Sequence, residues 1–204
     1  MHNFEGERIN ARKIFEQGQK MFKSTDSRFL RAWASFEKNS GNLQRASELY
    51  SQSASANPRD ERTWLQWALL EKRKNNLDKS IGCLQAGLQI SPMNPFLWQQ
   101  YGALVWEIHG PERGRSIFSK GNTQCPRNQQ ILMEWSLREF RAGEIEEALK
   151  IVRLAGDLNA GCHGDKEWHI PLLQLWVEIS LELGYKAEHE LVLQVMENQL
   201  QTSQ

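Results

Sequence analysis

Apolar and small residues recur along this chain on a helical spacing, and the spacing itself repeats every 34 residues. Trp64, Trp67, Ala68 and Glu71 fall at i, i+3, i+4 and i+7, which sets them on one helical face. Leu43, Ala46, Leu49 and Tyr50 form a second such stripe at i, i+3, i+6 and i+7. Trp33, Trp67, Tyr101 and Trp135 stand 34 residues apart. The same interval links Ala34, Ala68, Gly102 and Ser136, then Ala46, Ser80, Gly114 and Ala148, then Tyr50, Leu84, Phe118 and Val152. It also links Pro58, Pro92 and Pro126. Aromatic, small and proline positions held in step over four copies mark a repeat architecture.

Each copy reads as helix, turn, helix, turn. The first turn carries Gly41-Asn42, Asn75-Asn76, His109-Gly110 and Gly143-Glu144, residues that tolerate the left-handed conformation ending a helix. The prolines stop the second helix, because proline lacks the N–H that the next backbone bond needs. The small residues belong where the two helices of a hairpin cross, and the aromatics fill the gap to the next hairpin. One hairpin cannot bury its apolar face alone, so neighbours must stack. The predicted fold is therefore all-α, an α-solenoid of antiparallel helix hairpins. Its predicted core comprises Trp33, Ala34, Ala46, Tyr50, Trp67, Ala68, Leu84, Tyr101, Gly102, Phe118, Trp135 and Val152.

The ends are less regular. Residues 10–15 match the second helix of a copy whose first helix is missing, with Ala11 standing 35 residues before Ala46. A chain starting on a half repeat is expected to leave an apolar face open there, as a piece of a longer solenoid would. After Asn159 the period breaks, and residues 160–167 read as an inserted loop. Trp176 and Gly184 then stand 41 residues after Trp135 and Gly143. The expected organisation is a repeat array over 1–160 and a diverged terminal hairpin or cap over 161–204, its helices near 172–183 and 186–201.

Charge changes this picture only mildly. The 25 basic and 25 acidic residues balance, but residues 1–162 hold 23 basic against 18 acidic and the rest 2 against 7. A basic body with an acidic end is hidden in the neutral total. The cysteines Cys83, Cys125 and Cys162 are far apart and form no zinc-type spacing, which fits reduced thiols in an intracellular protein. No apolar run is long enough to span a bilayer. The first residues look like neither a secretory signal nor a transit peptide.

The 34-residue period, with a small residue at the eighth and twentieth positions and proline at the thirty-second, resembles the tetratricopeptide repeat (TPR). Trp33/Glu37, Trp67/Glu71 and Trp135/Glu139 add an aromatic followed four residues later by Glu, which resembles the half-a-TPR, or HAT, repeat. Copy three departs, with Tyr101 and then Val105. Residues 63–71 and 31–37 are most similar to HAT proteins that mature chloroplast photosystem II transcripts. That resemblance implies an RNA-processing scaffold, single-stranded RNA or the proteins of an RNA-processing complex as partners, and a chloroplast or, alternatively, a nuclear location. It implies neither catalysis nor a cofactor. The alternative is a protein–protein adaptor presenting a peptide groove.

The candidate chemistry is sparse. Glu37, Glu71 and Glu139 are carboxylates on separate repeats, which suits structural bonds between neighbours better than paired acid–base work. Cys162, His163, Asp165, Glu167 and His169 cluster in the irregular loop, but no second Cys or His pair closes a metal site at a usual spacing. No phosphate-binding glycine motif or nucleophile elbow is present. On the first helices, Arg28, Arg31, Lys38, Arg62, Lys72, Arg73 and Arg141 form a basic stripe, with Trp106 and Phe140 between. Cations that meet phosphates and rings that stack on bases would serve a single-stranded nucleic acid. These nine residues are the expected groove for RNA or for a protein partner.

Overall fold

The computed structural model of the chain describes residues 2–22, 26–155 and 170–202. These residues form eleven α-helices and no strand: α1 (His2–Phe22), α2 (Ser27–Asn39), α3 (Leu43–Ala56), α4 (Glu61–Arg73), α5 (Leu77–Ile90), α6 (Pro95–His109), α7 (Pro111–Gln124), α8 (Gln129–Arg141), α9 (Ile145–Arg153), α10 (Ile170–Glu182) and α11 (Lys186–Thr202). Each of the pairs α2/α3, α4/α5, α6/α7, α8/α9 and α10/α11 is an antiparallel hairpin. The expected α-solenoid of hairpins is thus what the chain forms. The helices group into two compact units, Met1–Pro92 and Met93–Gln204.

The helix ends explain the period. Three first helices, α2, α4 and α8, stop in the same way. Gly41, Asn75 and Gly143 take positive φ values of 89°, 63° and 84°. The N–H of the following residue then reaches back to the carbonyl of the repeat Glu, Asn42 to Glu37, Asn76 to Glu71 and Glu144 to Glu139, each at 2.9 Å. This closes otherwise unpaired carbonyls at the helix end. The third hairpin differs by one residue. Its α6 extends to His109, and Gly110 alone (φ 86°) both ends α6 and precedes α7. First helices begin on Asp26, Asp60, Asn94 and Asn128, again 34 residues apart, and each side chain accepts a backbone N–H of the first turn.

In residues 1–92 the core holds Leu30, Trp33, Ala34, Ala46, Leu49, Tyr50, Trp67, Ala68, Leu70 and Leu84, all buried. Phe15 of α1 stacks on Trp33 at 5.9 Å, and Ile9 and Ile14 of α1 face solvent. The small positions work as expected. Ala34 and Ala46 are fully buried, and Ser80 donates its hydroxyl to the Ala68 carbonyl across the α4/α5 crossing at 2.8 Å.

In residues 93–204 one cluster joins α8, α9, α10 and α11 around Leu132, Val152, Trp176 and Val192, and another gathers Ala103, Phe118, Cys125 and Ile131. Gly102 lies against the Phe118 ring and Gly114 against Trp106, so that an added Cβ at either would fall 2.6 Å from the neighbouring side chain. Of the twelve predicted core residues, ten are buried, whereas Tyr101 and Trp135 are half-buried. Trp135 lies at the edge between the two clusters and stacks on Phe118 at 6.0 Å.

Candidate functional site

The repeat glutamates come first, because they are the buried acids. Glu37, Glu71 and Glu139 are almost wholly buried, so each needs compensating donors. Each has them, and in every case some come from the helix that precedes the hairpin. Arg12 of α1 grips Glu37 with two parallel bonds of 2.8 and 2.9 Å, and Trp33 Nε1 and Asn42 Nδ2 complete the set at 3.2 and 2.6 Å. Glu71 accepts from Ser47, from Trp67 Nε1 at 3.0 Å and from Asn76 Nδ2 at 2.7 Å, with Lys79 Nζ 3.2 Å away. Arg115 of α7 grips Glu139 at 2.8 and 2.7 Å, with Trp135 Nε1 at 3.0 Å. The last hairpin reaches a similar result from another position. There Glu188 of α11 accepts from Trp176 Nε1 at 2.8 Å and from Arg153 of α9.

The electrostatics match these bonds. Burial alone would raise the Glu37 and Glu71 carboxyls. The donors around them outweigh it, so Glu37 is held below the usual carboxylate range and Glu71 falls to about 2. The Arg153 bond holds Glu188 low as well. The Glu139 bond raises the Arg115 guanidinium, which remains charged. Carboxylates so saturated are structural ties. They stand on separate hairpins, and Glu37, Glu71 and Glu188 are held in the charged form by their donors. Cations also lie over the ring faces: Lys79 sits 4.9 Å from the Trp67 ring, Arg45 5.2 Å from Trp33 and Arg115 5.7 Å from Trp106.

The basic stripe divides into groups. Arg28 and Arg31 of α2 and Arg62 of α4 line one open pocket of about 420 Å³, together with Ala32, Ser35, Leu65 and Gln66. The pocket exists because α2 and α4 are first helices of adjacent hairpins. Positions 28 and 62 share a register, and so do 31 and 65, and 32 and 66. Arg31 is steadied by Asp60 at 3.5 Å, and Arg28 lies 3.6 Å from Asp26. The Arg62 guanidinium meets no carboxylate among the described residues. Lys38 stands just beyond the pocket and donates to Gln66 Oε1 at 3.0 Å. Lys72 is half-buried and Arg73 exposed near the end of α4, and neither lines the pocket.

The remaining candidates lie in residues 93–204. Trp106 is half-buried, packed on Gly114 and on the Phe118 cluster, and Phe140 is half-buried against the cluster around Val152 and Trp176. Arg141 is exposed. Among the described residues no three His, Cys, Asp or Glu side chains gather as a metal would need. The cluster from Cys162 to His169 lies outside the described residues. No described helix is long and apolar enough to cross a membrane.

Comparison with known proteins bears on the fold. No protein-family model matches the chain, and no curated protein sequence does. Among solved structures, the chain is similar to a tetratricopeptide repeat protein from Parabacteroides merdae, with TM-score 0.65 and 13% identity over 96% of this chain and 74% of that one. It is similar to pilF of Pseudomonas aeruginosa, with TM-score 0.64 and 13% identity over 96% and 86% of the two chains. It is also similar to YrrB, described as a TPR protein with an unusual peptide-binding site, with TM-score 0.54 and 13% identity over 92% and 91%. At such identities the likeness shows the fold, which is TPR-like. The finer resemblance to HAT proteins of chloroplast RNA maturation has no counterpart among these matches.

Proposed function

We propose that this chain is a non-catalytic protein-interaction scaffold whose pocket between α2 and α4 receives an acidic segment of a partner protein. One observation carries the reading: among the described residues, three guanidiniums and no carboxylate line a pocket open to solvent. Such a pocket attracts anions. The TPR-like fold supports it, since a peptide-binding site is described for the similar YrrB.

An RNA-binding scaffold is the second reading. The exposed cations Arg28, Arg62 and Arg73 on first helices favour it, as does the HAT-like Trp/Glu pattern. Against it, the described residues lining the pocket include no ring on which a base could stack. Fluorescence anisotropy with a labelled Asp/Glu-rich peptide and with random single-stranded RNA tests the choice. The scaffold reading expects the peptide to bind and Arg62→Ala to weaken it. Binding of RNA alone, with a salt slope near 0.7 per phosphate contacted, would put the RNA reading in its place.

A further inference from the structure

We infer that the pocket between α2 and α4 recognises a phosphorylated serine or threonine on the partner segment. This rests on the scaffold reading and adds the group recognised. The first argument is an excess of cationic donors. The nearest carboxylates are already engaged as helix caps: Asp26 accepts the Arg28 N–H at 2.8 Å, and Asp60 accepts the Arg62 N–H at 3.2 Å and the Thr63 hydroxyl at 2.8 Å. Their contacts to the Arg28 and Arg31 guanidiniums are long, and Arg62 has none. Gln66 gives its carbonyl oxygen to Lys38, which leaves its NH₂ as a further donor.

The second argument is the shape of the anion. A carboxylate has two oxygens in one plane and a single negative charge, against three guanidiniums around the pocket. One carboxylate would leave most of that positive charge unmatched. A phosphate monoester carries nearly two negative charges and three terminal oxygens pointing in different directions, so it can take forks from Arg28, Arg31 and Arg62 together. The third argument is what lines the rest of the pocket. Ala32 and Leu65 give only small apolar contacts, and no described lining residue is an aromatic ring that could stack on a nucleobase or a phosphotyrosine ring. The short side chains of phosphoserine and phosphothreonine need none. At about 420 Å³ the pocket also holds more than a phosphate, so flanking peptide residues enter with it.

The test uses labelled degenerate peptide libraries with a central phosphoserine, serine or aspartate, and random single-stranded RNA, titrated against the whole chain. The phosphoserine library is expected to bind about tenfold tighter than the aspartate library, or better. Inorganic phosphate should compete. Arg62→Ala should abolish the preference while thermal melting stays unchanged, because Arg62 is exposed. Arg62→Lys should restore only part of it, since an ammonium offers no fork. Equal binding of the phosphoserine and aspartate libraries overturns the inference, and if Arg62→Ala weakens both, the scaffold reading survives. A phosphoserine preference untouched by Arg62→Ala also overturns it. RNA binding with no library bound overturns both readings.

Discussion

Asn42 holds Glu37 twice: its side-chain amide donates to the Glu37 carboxylate at 2.6 Å, and its backbone N–H donates to the Glu37 carbonyl at 2.9 Å. The residue that ends the first helix thus also helps to neutralise the buried acid at that end. Asn76 does the same for Glu71. Asn42→Ala keeps the backbone bond and removes a bond to a charged group. We expect a loss of about 1.5–3 kcal/mol in urea unfolding followed by circular dichroism. Unchanged stability would mean that the amide is dispensable.

Arg115→Met leaves Glu139 buried without its guanidinium and is expected to cost about 3–5 kcal/mol. The double variant Arg115→Met/Glu139→Val should recover most of that, because a buried ion pair is often replaceable by apolar groups. Copy three already shows the substitution accepted: Val105 occupies the Glu position and is 6% exposed. A double variant as unstable as the single one would show that the tie does more than neutralise a charge.

Glu71 links stability to pH. Its folded carboxyl, at about 2, lies below its ordinary 4.5. The contribution is therefore fully present above the ordinary value and is lost as pH falls toward about 2. It is worth roughly 3 kcal/mol at neutrality. Glu37 and Glu188 add in the same direction. Urea midpoints at about pH 6 and about pH 3 should differ by less in Glu71→Gln than in the wild type.

Two glycine substitutions separate crowding from helix propensity. Gly114→Ala brings a Cβ within 2.6 Å of Trp106 and within 3.0 Å of its backbone, and should cost about 1–3 kcal/mol. Gly82→Ala, in α5 with nothing within 4 Å of the new Cβ, should stabilise by about 0.5–1 kcal/mol. Thermal melts of the two proteins should move in opposite directions.

Much of this architecture was legible from spacing. The period located the hairpins, the positive-φ turns at Gly41, Asn75 and Gly143, the buried Trp33 and Trp67, and the close crossing at Gly114. The caps Asp26, Asp60, Asn94 and Asn128 keep the same period two residues after each turn proline or its equivalent, and could have been read from it. The partners of the glutamates could not. Arg12 and Arg115 lie 25 and 24 residues before the acids they neutralise, in another hairpin, and Ser47 holds the corresponding place in copy two. The residue type at that position changes from one copy to the next, from Arg12 to Ser47 to Ile81 to Arg115. Helical periodicity also does not separate a groove-facing ring from one at the edge of the core. It set Trp106 and Phe140 among the exposed candidates, whereas both pack partly against neighbouring helices. Of the basic stripe, Arg28, Arg31 and Arg62 line one pocket, whereas the others stand a turn or more further along their helices or in the second unit.

A chain built of near-copies faces a hazard that other folds avoid, since any second helix resembles the proper neighbour of any first helix. The apolar faces alone would discriminate poorly among such mispairings. The ties discriminate between adjacent hairpins, because those of Glu37 and Glu71 are not copies of one another. Glu37 is covered by a helix carrying Arg12, and Glu71 by one carrying Ser47, with Lys79 added from its own hairpin. Docking α3 in place of α1 would bury Glu37 against a serine. Sliding α1 by one turn would leave the same acid without its fork. The Glu37 side chain is 2% exposed and that of Arg12 36%, so the acid bears nearly the whole penalty of a wrong partner. The buried Glu37 and Glu71 thereby act as addresses for adjacent hairpins, each met by the donors of its own neighbour.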